Sequence, residues 1–558
     1  MHRDTDKTMP ADVFKMPGKL FTGLMAAVSA VLVCTALLIA IFKWNNIRRS
    51  QVHMTLTLAE IHAEDARLTQ FGLTLRDGSL LIDHPFQPPW TSHSLLMPSQ
   101  WRIQPPLFRA LLGPTKVRAD LLRSDLDVLE PVMQRAYGGW DSASARGWNW
   151  SKWFSDWRNR LAAKGSTEIT LDEAFAPVDG LKVFQRDNHT QIPLERFAKA
   201  GSDGSQTALL KTIPESSCQE VQSSGKTFQI PTNDPAQQVK IVNEWHDGES
   251  ALARAAYISM PLSRGNPQAV HCGSHWIYLS KVDTKSSSIS LWSRWFSKSD
   301  PPRIEKLGDG VVYVRLPSFF AANYEDISHK NWPHRESGDR ILIVDLRNND
   351  GGSAGYGKQV LEGWVDQSRM VPWDQFGKQL IASCLYAPLR WNAQMVFSPK
   401  LFPGQKTFLQ DLLDQIGQSY QAGCPRTVDV TEPRWTYSAH RFAPKPGNLR
   451  IIALVNSKCG SDCELLTAQL ASLPETIVAG VNTLGVGQFI QPGYSVLPHT
   501  GLHYRIALGM SNFYGDNRSY DGYGLDVDVI LPDIDTLQPA QLRNFAEIIA
   551  QLPVSQFP

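Results

Sequence analysis

Hydrophobic and polar positions divide the chain into stretches of different period. Leu20 to Phe42 (LFTGLMAAVSAVLVCTALLIAIF) is an uncharged apolar run of 23 residues. As a helix it spans roughly 34 Å, enough to cross a bilayer core. Lys15 and Lys19 precede it, and Lys43, Arg48 and Arg49 follow it. The run is longer than a usual signal-peptide core, and many apolar residues continue past the small-x-small site Ala27-Val28-Ser29. Val33 stands where a lipobox before Cys34 needs a small residue. The pattern predicts a short tail over 1–19 and an uncleaved signal anchor over 20–42, with flanking charges that leave its orientation open.

Beyond Arg49 the period changes twice. Residues 50–190 are polar and aromatic, with helical spacing of apolar residues in Leu122 to Tyr137 and in Trp150 to Val183. Trp148, Trp150, Trp153 and Trp157 read as a packing face. Residues 191–309 break into short β-like runs, such as Val239 to Val242 and Trp276 to Leu279, between polar segments such as Lys281 to Ser288. They predict an inserted β-rich domain, without a visible carboxylate-binding glycine loop. Residues 310–558 alternate buried strands and helices. Gly310 to Pro317, Arg340 to Leu346, Leu449 to Val455 and Thr476 to Gly480 read as strands. Gly355 to Trp364 and Glu464 to Leu473, the latter stopped by Pro474, read as helices. This order implies parallel crossovers and a helix-covered sheet, so the fold class is an α/β core within an α+β multidomain chain.

Composition narrows the function classes. Of 558 residues, 42% are hydrophobic and 20% charged, a folded balance. With 55 basic and 54 acidic residues the net charge is +1, which argues against a nucleic-acid partner. Six of seven cysteines follow the anchor: Cys218, Cys272, Cys384, Cys424, Cys459 and Cys463. An even number suits an oxidising compartment, with fifteen pairings open. Anchor and cysteines together predict a membrane-attached protein whose main region is periplasmic or otherwise extracytoplasmic.

Candidate chemistry gathers in the core. Ser461-x-x-Glu464 follows the strand Leu449 to Val455 and opens a helix. One reading is a capping box. The other is a nucleophile at a helix N-terminus, where free N–H groups favour a developing oxyanion. Local sequence leaves both open. Asp345-Leu346-Arg347-Asn348-Asn349-Asp350-Gly351-Gly352 also follows a buried strand, and its glycines let amides turn into a site.

The D-L-R-N-N-x-G-G segment resembles the signature of the C-terminal processing (tail-specific) serine peptidases, relatives of the tricorn core protease. Ser461-x-x-Glu464, followed by Gly480-x-x-Thr483-x-Gly485, resembles that family's nucleophile segment, and Gly310 to Phe319 its preceding strand. The resemblance implies a crotonase-like core and hydrolysis of peptide bonds in protein or peptide substrates. It implies no cofactor or metal, and it leaves the oligomeric state open. Many members pair serine with a lysine directly after the T-x-G; here that position is Val486, which cannot take a proton. The tricorn-like branch uses histidine, and Asp187-Asn188-His189-Thr190 resembles its D-G-H-T segment. Asp521 in Asp521-Gly522-Tyr523-Gly524 falls where that branch has its acid, with Asp in place of Glu and Val527 in place of a proline. The implied site is nucleophile Ser461, base His189 and orienting acid Asp521, with oxyanion donors from Gly351, Gly352 and Asp462. Thr483 and Glu464 support the nucleophile loop, and a Cys459–Cys463 disulfide would bracket it.

Three other readings compete. Gly351-Gly352-Ser353-Ala354-Gly355 matches the esterase elbow G-x-S-x-G, with His499 or His503 to complete a triad. Cys459-x3-Cys463 with His499-x3-His503 has zinc-ligand character, although the intervening gap is long for a finger. A non-catalytic peptide-binding scaffold of the same fold would explain the missing lysine.

Overall fold

The computed structural model describes residues 73–76, 79–82, 114–196, 205–230, 239–261, 267–281, 301–319, 332–382, 385–386, 389–390, 427–437, 442–443, 449–513 and 521–551. The apolar run 20–42 lies outside them, as do Cys34, Cys384 and Cys424. Among the described residues no helix is long and apolar enough to cross a membrane.

Strands β1 (Leu73–Arg76) and β2 (Ser79–Ile82) form an antiparallel pair. A second pair, β3 (Lys116–Arg118) and β4 (Glu168–Thr170), brackets three helices: α1 (Ala119–Ala136), α2 (Trp140–Ala145) and α3 (Trp150–Ala162). Two further helices follow, α4 (Leu171–Ala174) and α5 (Ala176–Gln185). Leu122, Leu126, Leu129 and Met133 recur every three or four residues along α1 and are fully buried. They share a core with Phe154, Trp157 and Leu161 of α3. The tryptophans are packing elements: Trp140 stacks on Trp150 at 4.2 Å, and Trp157 Nε1 donates to Ala174 O at 2.8 Å.

The insert contains β5 (Ser205–Leu210), β6 (Cys218–Ser223), β7 (Lys226–Gln229), β8 (Lys240–Glu244), β9 (Ala253–Pro261), β10 (Pro267–Cys272) and β11 (His275–Lys281). A Cys218–Cys272 disulfide joins β6 to β10. The core begins with β12 (Arg303–Gly308), β13 (Val311–Arg315) and β14 (Ile341–Asp345), then α6 (Ala354–Leu361), β15 (Lys378–Ala382) and β16 (Thr427–Thr431). It continues with β17 (Arg450–Val455), α7 (Asp462–Ala471), β18 (Thr476–Gly480), β19 (Phe489–Val496), β20 (His503–Ser511), β21 (Val529–Ile530) and α8 (Pro539–Gln551).

Strands β13, β14, β17, β18 and β21 are mutually parallel, with β12 antiparallel at the edge. β8 then pairs in parallel with β21, so the insert extends the core sheet to thirteen strands. The expected mixed α/β core is present, and the insert continues its sheet through two residue pairs rather than standing apart. The central strands are buried on both faces. Leu342 and Val344 face the layer of α6 and α7, while Ile341 and Ile343 face α8. A separate antiparallel sheet, β16-β15-β20-β19, connects this core to the N-terminal helices.

Candidate active site

The carboxyl end of β17 leads through a short turn into α7, and Ser461 stands at the turn's apex. Its backbone has φ +57° and ψ −122°, outside the regions an L-residue normally occupies. Such a conformation costs about 1–3 kcal/mol and persists only where its surroundings hold it. Gly460 N–H donates to Asn349 O at 3.0 Å, and Leu484 N–H to Cys459 O at 2.7 Å. Cys459 and Cys463 are joined as a disulfide across the turn.

Glu464 supplies the other restraint. Its fully buried carboxylate accepts Ser461 N–H at 3.2 Å, Gly485 and Val486 N–H at 2.9 Å each, and the Thr483 hydroxyl. Glu464 therefore ties the Ser461 turn to the glycine loop after β18. Ser461 Oγ lies 3.4 Å from His189 Nε2. Burial pushes the Glu464 carboxyl up to about 7 against those four donors, which favour its ionised form.

His189 reaches this place from the N-terminal helical layer. Arg186, in the left-handed conformation (φ +59°), ends α5 and turns the chain. Asp187 Oδ1 accepts the N–H groups of His189 and Thr190 at 2.8 and 2.9 Å. From β20, Arg505 donates to His189 O at 2.7 Å and to Asn188 O at 3.0 Å, and Ala507 N–H donates to Thr190 Oγ1. Asp187 thus shapes the loop, a role absent from the sequence reading. An Asp followed by polar residues was the available signal, since its carboxylate caps amides two and three residues on.

Asp521 is fully buried, and its Oδ1 accepts Gln488 N–H at 2.8 Å. Burial raises its pKa well above the carboxylate range, and the charges of Glu464 and Asp187 raise it further. The loops that carry His189 and Asp521 meet where the Arg186 guanidinium covers the Tyr523 ring at 4.4 Å. Gly524 (φ +76°) is irreplaceable here, because a Cβ would sit 2.1 Å from Thr483 O. Leu525 N–H also donates to Thr483 Oγ1 at 2.7 Å, closing the Asp521 loop onto the loop that Glu464 holds.

One proposed oxyanion donor needs correction. The Gly351 N–H is engaged by Asn349 Oδ1 at 2.9 Å. Gly351 serves instead as a close-packing site: with φ +97°, a Cβ there would lie 2.9 Å from Ser461 Cβ and 2.7 Å from Gly460 O. Asp462 is the first residue of α7, so its N–H has no carbonyl partner within the helix. Its carboxylate accepts Ala354 N–H at 3.0 Å and braces the two helix starts. Gly352 follows directly on Gly351 and is exposed.

The rest of the signature is an anchor. Asp345, fully buried, pairs with Arg315 at 2.7 Å and with Arg347 at 2.6 Å, and accepts the Tyr313 hydroxyl at 2.5 Å. Arg347 also donates to Leu537 O at 2.9 Å, tying the sheet to the segment before α8. Burial opposes ionisation of Asp345, yet the two guanidinium groups outweigh it and hold the carboxyl at about 2.

The competing constellations separate. Ser353 stands eight residues beyond β14, exposed at the start of α6, without a side-chain cap bond. His503 Nδ1 is 2.6 Å from Glu195 Oε1, and Asp125 of α1 accepts the backbone N–H groups of His499 and Thr500. Both histidines belong to the β19–β20 hairpin. The Cys459–Cys463 bond leaves no thiolate for zinc, and no His/Cys/Asp/Glu cluster of metal-site form occurs among the described residues.

Among solved structures, a protein from Parabacteroides merdae is 13% identical, covering 74% of this chain and 90% of its own, with a TM-score of 0.32. Mature CPAF is 11% identical over 78% of this chain and 97% of its own, with a TM-score of 0.35. The photosystem II D1 C-terminal processing protease is 14% identical over 78% and 98%, with a TM-score of 0.31. No curated protein matches the chain. The segment that carries Ser461, residues 310–531, matches the model of peptidase family S41, and the protein is a serine-type peptidase.

Proposed function

We propose that this peptidase is a membrane-anchored endopeptidase of the tail-processing type that works through a Ser461–His189–Asp521 triad rather than a serine–lysine dyad. The carrying observation is the 3.4 Å approach of His189 Nε2 to Ser461 Oγ, with the serine held at φ +57°. Such contacts are often long before substrate binds. Val486, at the family's lysine position, is buried and offers only its backbone N–H, to Glu464.

In this mechanism Ser461 Oγ attacks the scissile carbonyl while His189 Nε2 takes its proton. The tetrahedral oxyanion accepts the N–H groups of Gly352 and Asp462 at the positive end of α7. His189 then gives the proton to the leaving amine, and water returns by the same route to release the acyl group. Asp521 orients the imidazole and stabilises its cation. The run 20–42 anchors the enzyme, with its catalytic region in an oxidising, extracytoplasmic space that suits the Cys218–Cys272 and Cys459–Cys463 disulfides.

Hydrolysis of unfolded casein by the full chain tests the triad. Ser461→Ala and His189→Ala are each expected to lower kcat about 10⁴-fold or more. Cleavage that survives His189→Ala would overturn the proposal. For the anchor, the full chain should stay in the membrane pellet under alkaline extraction, and removal of 1–49 should release it.

A further inference from the structure

The Cys459–Cys463 bond encloses only three residues, and Ser461 is the central one. Both cysteines are fully buried. Cys459 is fixed by its carbonyl, which accepts Leu484 N–H at 2.7 Å, and by its own N–H, which donates to Asn456 O at 2.9 Å. Cys463 sits in the first turn of α7, its N–H donating to Gly460 O at 3.1 Å. One end of the bridge is therefore fixed to the loops that follow β17 and β18 and the other to the helix, and the strained serine lies between them. Hydrogen bonds hold the backbone here, with Asn349 O on Gly460 N–H, Glu464 on Ser461 N–H, and Ser461 O accepting the N–H groups of Glu464 and Leu465, but the bridge is the covalent link that spans the serine.

We propose that this disulfide is the positioning element that keeps Ser461 in its attacking conformation, so that the peptidase is active only when the bond is oxidised. The proposal rests on the peptidase reading above. Reduction by a dithiol breaks one S–S bond and transfers two electrons and two protons to the sulfurs. Two thiols remain at Cys459 and Cys463, and the dithiol leaves as its own disulfide. Without the bridge, Ser461 relaxes from φ +57° toward an ordinary helix N-cap, where its hydroxyl serves the α7 amides instead of facing His189. The α/β core stays intact, because β14, β17 and β18 and the Asp345 cluster do not involve these sulfurs.

The experiment measures the reaction of Ser461 with a fluorophosphonate, mapped by mass spectrometry, in the oxidised full chain and after treatment with dithiothreitol. Thermal unfolding and circular dichroism are followed in parallel. The expected result is at least a tenfold fall in the maximal labelling rate, with the half-saturating probe concentration within threefold and the fold retained. Oxidised glutathione should restore the rate. The Cys459→Ala/Cys463→Ala variant should label slowly from the start and respond to neither reagent. Equal labelling of Ser461 in both redox states would overturn the proposal while leaving the triad standing. So would a variant that labels at the wild-type rate. No labelling of Ser461 in the oxidised chain would overturn both, which distinguishes the two failures.

Discussion

Two groups of buried carboxyls lie at neighbouring strand ends and behave oppositely. Asp345, at the end of β14, is surrounded by Arg315, Arg347 and the Tyr313 hydroxyl, and its pKa falls to about 2. Glu464 and Asp521, around the turn after β17, are equally buried but are held mainly by backbone amides. Glu464 rises to about 7, and Asp521 stands well above the usual carboxylate range. Burial is the same in both places, so the neighbours decide. Two cations keep Asp345 ionised and anchor the fold, whereas amides and neighbouring carboxylates leave Glu464 and Asp521 with raised pKa values. That difference separates a charge that anchors the fold from the carboxyls placed around the proposed nucleophile.

The largest expected effect comes from replacing the carboxyl by an amide at both places. Asp521→Asn should lower kcat by about 10⁴-fold, with urea unfolding little changed. Asp345→Asn should do the reverse in kind, destabilising the protein by about 3–5 kcal/mol because the buried Arg347 and the part-buried Arg315 lose their counter-charge. Casein hydrolysis and equilibrium unfolding on the same preparations would separate them. If Asp521→Asn unfolds the protein while Asp345→Asn spares it, the assignment is inverted.

These roles were unevenly legible in the sequence. Strand β18 and the segments around Ser461 and Asp345 could be read directly, because continuous apolar runs end there in glycine and polar turns. The Asp345–Arg347 pair looked like part of a catalytic signature, but its job depends on Arg315 from the neighbouring strand and on carbonyls near residue 537, which no local pattern reveals. The donor role expected for Gly351 failed because Asn349, two residues earlier, takes that N–H. Asp187 and Asp125 were missed because each acts on amides that only the fold or a turn brings to it. The union of insert and core through β8 and β21 involves two short segments almost 300 residues apart, and so it left no local trace.

The next effect is on stability against pH. Glu464 keeps its proton in the folded protein up to about 7, whereas its ordinary pKa is 4.5. Below pH 4.5 its contribution is fully present, and it is lost as pH rises through about 7, on the order of 3 kcal/mol in all. Asp345 works in the other direction: its contribution is present above 3.8 and is lost as pH falls toward about 2. Unfolding midpoints of wild type and Glu464→Gln between pH 4 and 8 should differ in slope. Parallel curves would mean that Glu464 does not titrate there.

The smallest effect is expected at Ser353. Ser353→Ala should change casein hydrolysis by less than about twofold, since the residue is exposed and has no side-chain cap bond at the start of α6. Abolished hydrolysis would move the nucleophile to the glycine-rich turn.

The central claim, that His189 activates Ser461, is tested most directly by the rate of fluorophosphonate labelling at Ser461 in wild type and in His189→Ala. Labelling of Ser461 is expected in wild type, with a fall of about a hundredfold or more in the variant and circular dichroism unchanged. Labelling of Ser461 at the same rate without His189, or at another serine, would contradict it.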